Sequence, residues 1–555
     1  MPLMGSLFTG VSGLQTAQNS LNTTAHNLSN IDTSGYVRQQ VLLGTSIYNT
    51  IRVSANTVSN QQVGSGVTYS KVRQVRDQFL DQTFRRESGR SAFYDVSLKA
   101  IEEVENALGE LKTSPFSQGL SDLWSSVQEL AKNPASSTIQ TLVVQRAAQF
   151  VRKSQDVYGE LSSYQDNLNI QIKNKVERIN EIGDKIKEYN DGIREIETAG
   201  IENANDLRDA RNKLLDELSG LANIDYDTDA FGNINVRLEG NDFITTSKCY
   251  HIELQTDVTN GFYTPYWPQN ATIQKSADGT ETINIDNAKV FNMKQTISAA
   301  TDTDIGELKS MLFARGDHRA NYTDLDDGLK GEGYYDTYIS QSVMMNVQAE
   351  FDQLIHAVVT GINRVLAEAS DPATGYLCNE DGSPMQLFTK MTTDAYEFDG
   401  SAWNYVPEDP ARTETLYTTM NIQVNGDLIK QPTLLNFVRP DKSEDFETVA
   451  KMAKLFEEEN YILNPNLKTA YNFTDYYNSL ISQVSNTGSV MASISSSQEA
   501  TVENTDAARD QIMGVSSEEE LSHMIKYQNA YNAASRYINV IDEMLEHILT
   551  TLGAS

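Results

Sequence analysis

The stretch Leu14-Gln15-Thr16-Ala17-Gln18-Asn19-Ser20-Leu21-Asn22-Thr23-Thr24-Ala25-His26-Asn27-Leu28 decides how this chain reads. With Leu7 and Val11 before it, Leu14, Gln18, Leu21, Ala25 and Leu28 step by alternating threes and fours. That spacing is a heptad seam on one face of a helix, with one polar guest. Asp32-Thr33-Ser34-Gly35 then predicts the stop, with Gly35 free to take the left-handed conformation. The other end of the 555-residue chain repeats the pattern through Leu521, Met524, Gln528, Tyr531, Ala534, Ile538, Ile541, Leu545, Ile548 and Leu552. Ser516 with Glu519 fits a capping box, and acidic residues 518–520 suit the positive end of a helix. A helix over 517–552 would be about 54 Å long.

Proline punctuates the interior. None of the twelve prolines falls in 135–264, in 269–371 or after Pro465. An interior proline costs a helix ~3 kcal/mol, so these windows permit long helices. One seam runs through Leu161, Leu168, Ile172, Val176, Ile179, Ile182, Ile186 and Ile193; another runs from Phe473 through Leu480 and Val484 to Val502. A shorter one links Val347, Phe351, Leu354, Val358, Ile362 and Val365. Residues 224–300, rich in Thr, Asn, Asp, Tyr and Gly, carry alternating runs such as Asn233–Leu238, Cys249–Leu254 and Thr282–Ile285, which predict strands. Residues 371–440 hold six prolines with Trp403, Tyr405 and Tyr417 and read as a second irregular or β-containing insert.

The expected fold is therefore multidomain, mainly α with inserted β, the terminal helices pairing as a coiled coil or bundle and the β-rich parts nested in the middle. The expected division is a terminal assembly domain of 1–45 with 515–555 and a long-helix bundle of 46–223, 301–370 and 441–514. The β-rich insert 224–300 and a small insert 371–440 complete it.

Charge narrows the function. Seventy-six acidic residues against 44 basic ones give a net charge of −32, which argues against general binding to nucleic acid or an anionic membrane. Residues 1–90 run the other way, with eight Lys/Arg and four Asp/Glu. Their cluster Lys71, Arg73, Arg76, Arg85, Arg86 and Arg90 has two readings of equal weight: a solvated helix face, or a patch meeting the acidic body of neighbouring copies. No run approaches the ~20 apolar residues of a membrane span, and the start lacks the basic and apolar regions of a secretory signal. Cys249 and Cys378 are too few for a disulfide framework or a Cys-rich metal site.

Catalytic motifs are missing. The six histidines include no His-Glu-x-x-His pair, and no nucleophile elbow or phosphate loop occurs. Asp227, Asp229 and Gly232 faintly suggest a calcium loop, but Phe231 and Leu238 stand where ligands are needed, so an Asp-rich turn is expected. Asp324-Leu325-Asp326-Asp327-Gly328 has its acids at the wrong spacing. His26 and His523, in the terminal seams, read as satisfied interface histidines. No enzyme, cofactor or metal is expected.

The segment Leu21–Tyr36, with Asn27, Asn30, Thr33, Gly35 and Tyr36 at its marked positions, resembles the N-terminal signature of the flagellar rod, hook and hook-associated axial proteins. Gly514-Val515-Ser516 through Glu520, then Tyr527-Gln528-Asn529-Ala530-Tyr531-Asn532-Ala533-Ala534 and Ile538–Met544, resembles their C-terminal motif. Tyr36-Val37-Arg38-Gln39, Val63-Gly64-Ser65-Gly66-Val67 and Asn205–Leu215 are similar to the hook-associated branch, the last departing at Asn212, a position usually acidic.

The resemblance implies a structural protein at the hook–filament junction in a ring of about eleven copies. Hook protein and a second junction protein would be its neighbours. It also implies export through the flagellar type III apparatus, a chaperone on the C-terminal segment, and a place outside the cell. The assembly interface would comprise Leu7, Val11, Leu14, Leu21, Leu28, Ile31, Tyr36, Tyr531, Ile538, Ile541, Leu545 and Ile548. A hook or distal-rod protein is the alternative; a flagellin, or an insert with hydrolytic activity, stands further off.

Overall fold

A computed structural model describes residues 2–53, 60–109, 115–200, 202–229, 231–275 and 281–552. Its helices are α1 (Pro2–Ser29), α2 (Gln78–Leu108), α3 (Phe116–Lys132), α4 (Ser137–Glu197), α5 (Asn205–Leu221), α6 (Glu307–Arg315), α7 (Asp327–Lys330), α8 (Val343–Ala369), α9 (Gly426–Lys430), α10 (Phe446–Leu455), α11 (Phe473–Met513) and α12 (Ser517–Leu552). Helix α1 ends at Ser29, just before the predicted stop, and Gly35 takes the expected left-handed conformation at φ +84°; α12 starts behind Ser516 as its sequence predicts. The seam read from Leu161 begins earlier than expected. Val143, Ala147, Phe150, Val151 and Val157 extend it upstream, all buried, and α4 starts just after Pro134.

Small antiparallel sheets interrupt the helices. Ile224–Thr228, Ile234–Leu238 and Asn241–Ile244 form three strands, and hairpins follow at Glu253–Thr256 with Tyr263–Tyr266 and at Thr272–Lys275 with Glu281–Asn284. The later insert holds Phe388–Lys390 with Ile422–Val424, and Tyr396–Phe398 with Trp403–Tyr405. One stretch departs from the expectation of a helical 46–223. Gln39–Thr45 pairs with Val67–Gln74, and Asn49–Val53 with Asn60–Val63. The described residues of these strands are partly or fully exposed, so they lack the apolar alternation that betrays a half-buried sheet.

The chain folds as two compact units. One comprises 1–89, 178–251 and 498–555; the other comprises 90–177 and 252–497. Helices α2, α4 and α11 contribute residues to both.

The second unit is built on an aromatic hub. Phe116 of α3 lies 5.0 Å from Phe351 of α8, 4.8 Å from Tyr477 of α11 and 5.7 Å from Phe150 of α4, ring centre to ring centre. Four helices thus share one contact point, with edge-on and tilted geometry that suits ring quadrupoles. Next to it, Glu350 is completely buried on α8 and accepts from the side-chain amides of Asn464 (2.9 Å) and Gln483 (2.9 and 3.1 Å). Burial outweighs these donors and pushes its carboxyl up to about 7.

A buried carboxyl raised in this way makes folding pH-dependent. Between ~4.3 and ~7 the unfolded chain ionises this group while the folded chain keeps it protonated, so its contribution to stability falls as pH rises and levels off above 7. Glu350→Gln should remove that decline, about 3 kcal/mol across the window, measured by urea denaturation at pH 4.5 and pH 8.

Candidate assembly interface

The first unit brings the chain ends together: α1 packs on α12 and on the hairpin Gln39–Thr45/Val67–Gln74. Its covered face is not the leucine seam. Gly10, Thr16, Ala17, Ser20, Thr24 and Asn27 are the buried positions, all small or polar. A Cβ added at Gly10 would meet Ile538 Cγ1 at 2.8 Å and Tyr537 Cδ1 at 3.1 Å, and one at Gly13 would lie 3.7 Å from Ala534 Cβ. The helices therefore approach through missing side chains, with Ile538 filling the groove that glycine leaves. Gly66 does the same for the hairpin. It has φ +98°, and a Cβ there would lie 2.2 Å from Ser12 Oγ, whose oxygen accepts from the Val67 amide at 3.3 Å.

The two terminal motifs meet through Tyr36-Val37-Arg38-Gln39. The Arg38 guanidinium donates to Glu519 at 2.9 Å and pairs with Glu520 at 3.2 Å, while its amide donates to the Met513 carbonyl at 2.9 Å. Glu520 is buried, so removing Arg38 would leave its carboxylate desolvated without a partner. Asn27 closes the turn on the other side. Its Oδ1 accepts from the Tyr36 hydroxyl (2.8 Å) and the Gln39 amide (3.0 Å), and its Nδ2 donates to the Gln39 carbonyl (2.9 Å). His26 packs edge-on to Tyr36, centroids 5.5 Å apart.

Helix α5, the segment Asn205–Leu215 and beyond, is the floor beneath this turn. Asp209 accepts from the Val37 amide at 3.2 Å and from Gln74 at 2.6 Å, and burial pushes its carboxyl up to about 7. Arg211, almost fully buried, donates to Asn190 at 2.7 Å and the Gly232 carbonyl at 2.8 Å, and burial lowers it to about 9. Asn212, the departure from the family pattern, gives its side-chain oxygen to Arg85 at 3.2 Å.

The expected interface residues fall into three groups. Ile541 is buried, at 3 % exposure. Leu7, Leu14, Leu21, Leu28, Tyr36, Tyr531, Ile538 and Leu545 are partly buried, and Val11, Ile31 and Ile548 are exposed. Periodicity overlooks Gly10, Ala17, Ser20, Thr24 and Asn27, because a hydrophobic pattern cannot register a contact made by the absence of bulk.

The basic cluster is not the solvated helix face of the first reading. Arg76 pairs with Asp81, Arg85 with Asp216 (2.7 Å), Arg86 with Glu87 (3.0 Å), and Arg90 with Asp302 and Asp304 (2.6 and 3.0 Å). Four of the six are thus ion-paired within the chain, and Lys71 and Arg73 lie exposed on a strand rather than a helix, Arg73 donating to Gln40 at 3.1 Å. Asp229 accepts from the backbone of Phe231 and Asn233, both at 2.9 Å, which is the Asp-rich turn expected there. In the second unit Glu408 takes donors from Tyr322 (2.8 Å), His356 (2.9 Å) and the Tyr417 amide (2.6 Å), beside a cleft of about 940 Å³. These bonds occupy both carboxylate oxygens in bracing the cleft wall.

Gly10→Val should force α1 off Ile538, losing about one 28-residue helix from the far-ultraviolet circular dichroism. Asn27→Ala should cost about 2 kcal/mol and speed hydrogen exchange at the Gln39 amide.

Comparison with known proteins agrees with this geometry. Three family models match in chain order: flagella basal body rod protein over residues 7–36, flagellar hook-associated protein FlgK helical domain over 101–375, and flagellar basal body rod FlgEFG protein C-terminal over 511–551. Flagellar hook-associated protein 1 of Bacillus subtilis is 24% identical, covering 99% of each chain. That of Escherichia coli is 23% identical over 97% of this chain and 98% of its own. The flagellar hook junction protein FlgK from Burkholderia pseudomallei shares the fold, with TM-score 0.53 and 11% identity over 78% of this chain and 99% of its own. With matching terminal motifs, a matching helical domain and relatives aligned end to end, the chain belongs to the flagellar hook-associated protein 1 family.

Proposed function

We propose that this chain is a structural component of the bacterial flagellum that forms the junction between hook and filament, with its paired terminal helices as the assembly elements. One observation carries the assembly reading: each terminal helix has an apolar stripe that its partner helix does not cover. On α12, Val540, Met544 and Ile548 recur at four-residue steps and are exposed, next to the seam of Ile538, Ile541 and Leu545. On α1, Met4, Phe8 and Val11 do the same, Phe8 at 69 % exposure. Stripes at helical spacing on two paired helices fit neighbouring helices of the same kind.

The neighbours are other copies of this chain in a ring of about eleven, with hook protein on one side and a second junction protein on the other. The segments 1–45 and 515–555 are the assembly domain, and the remaining helical and β-rich parts form the body of the subunit. Export through the flagellar type III apparatus, with a chaperone on the C-terminal helix, would place it outside the cell. No catalytic step is assigned. No helix among the described residues is long and apolar enough to cross a membrane.

A deletion strain viewed by electron microscopy, with flagellin assayed in the medium, tests the junction role. Complete hooks without filaments, and flagellin lost to the medium, are expected. Absent hooks would move the protein into the hook or distal rod, and normal filaments would refute the assignment. Loss of 1–45 or 515–555 should leave a folded body that cannot restore filaments. Val540→Lys with Met544→Lys should change monomer stability by no more than about 1 kcal/mol and still abolish filament growth.

A further inference from the structure

Asp184, Cys249 and His251 form a group that the assembly role does not use. Asp184 is exposed on α4, and its Oδ1 lies 2.9 Å from His251 Nε2. Cys249 stands two positions before His251, on the segment that bridges Ile244, and is a partly buried free thiol. One carboxylate oxygen, the Cys249 sulfur and one imidazole nitrogen all lie within 4.8 Å of one another. The local backbone is shaped to bring the sulfur in. A Cβ on Gly183, the residue before Asp184, would stand 2.7 Å from Cys249 Sγ and 2.5 Å from Phe243 Cζ. Only glycine lets the thiol seat against the helix next to the carboxylate.

From this geometry we infer that Asp184, Cys249 and His251 bind a single divalent transition-metal cation of the zinc class. The donors suit such an ion: one thiolate, one neutral imidazole and one carboxylate, each an ordinary zinc ligand. Tetrahedral bonds of 2.0–2.3 Å require donors ~3.5 Å apart, so on loading the wider separations close by up to ~1.3 Å while the His251–Asp184 pair, now at 2.9 Å, opens slightly. The ion displaces the Cys249 thiol proton to solvent and takes over the hydrogen bond between His251 and Asp184, leaving a fourth position for water. Calcium and magnesium are disfavoured, since both prefer all-oxygen shells. Loaded, the site would pin the segment around Cys249 to α4.

The test uses the full-length protein, reduced and freed of metal, titrated with Co²⁺ as the probe and then with Zn²⁺. One equivalent of Co²⁺ should give a near-ultraviolet thiolate-to-cobalt charge-transfer band and intense visible bands of tetrahedral cobalt, both removed by Zn²⁺. Cys249→Ser should abolish the charge-transfer band, and His251→Ala should weaken binding at least tenfold. Gly183→Ala, which keeps every ligand, should weaken it similarly by displacing the sulfur. Cys378→Ser, the other free thiol, should change nothing. Zn²⁺ should raise the unfolding temperature of the wild type but not of Cys249→Ser. Cobalt binding without a thiolate band, a band that survives in Cys249→Ser, or no binding at millimolar cobalt would overturn the assignment.

Discussion

The guanidinium of Arg38 holds Glu519 and Glu520 across 481 residues of sequence, and the organisation of the first unit follows from that closure. Arg38 sits just past the turn that ends α1, and the two glutamates sit in the first turn of α12, where negative charge also suits the helix dipole. Fixing both helix ends at one point sets the register in which Ile538 reaches Gly10. Asn27 and Tyr36 give the turn its shape, and Asp209 ties it to α5. Without the charge pair, the alignment of the two long helices would rest on the Arg38 amide at the Met513 carbonyl and on the fit of Ile538 to Gly10.

Much of this arrangement is written in local periodicity. The seams of α8, α11 and α12 and the stop at Gly35 follow from spacing, capping and proline placement alone, because each is a short-range property of the chain. The strands of 224–300 likewise follow from alternation between turn-forming residues. The hairpin of 39–74 does not, since its strands pack beneath α1 with polar residues on both faces. The start of α4 is recoverable in hindsight from Val143, Ala147 and Phe150, whose spacing continues the later seam.

The site is legible only in part, for a physical reason. Leucine positions mark a helix face, yet α1 and α12 also meet at Gly10 and Gly13, which have no hydrophobic signature. Pairings such as Arg38 with Glu520, or Asp184 with Cys249 and His251, join residues far apart in sequence. Composition lists such groups, but only the fold puts them side by side. The same holds for the basic cluster, whose arginines read as a free patch until Asp216, Asp302 and Asp304 come beside them.

The covered face of α1 inverts the usual relation between side-chain size and information. At Gly10 the chain specifies its partner by withholding atoms, so enlarging this residue is blocked by Ile538, and Ala17 and Ser20 are likewise buried. The half-covered leucines at 7, 14, 21 and 28 have slack. A substitution map of this helix should therefore be strictest at its blandest letters and permissive at its most hydrophobic ones.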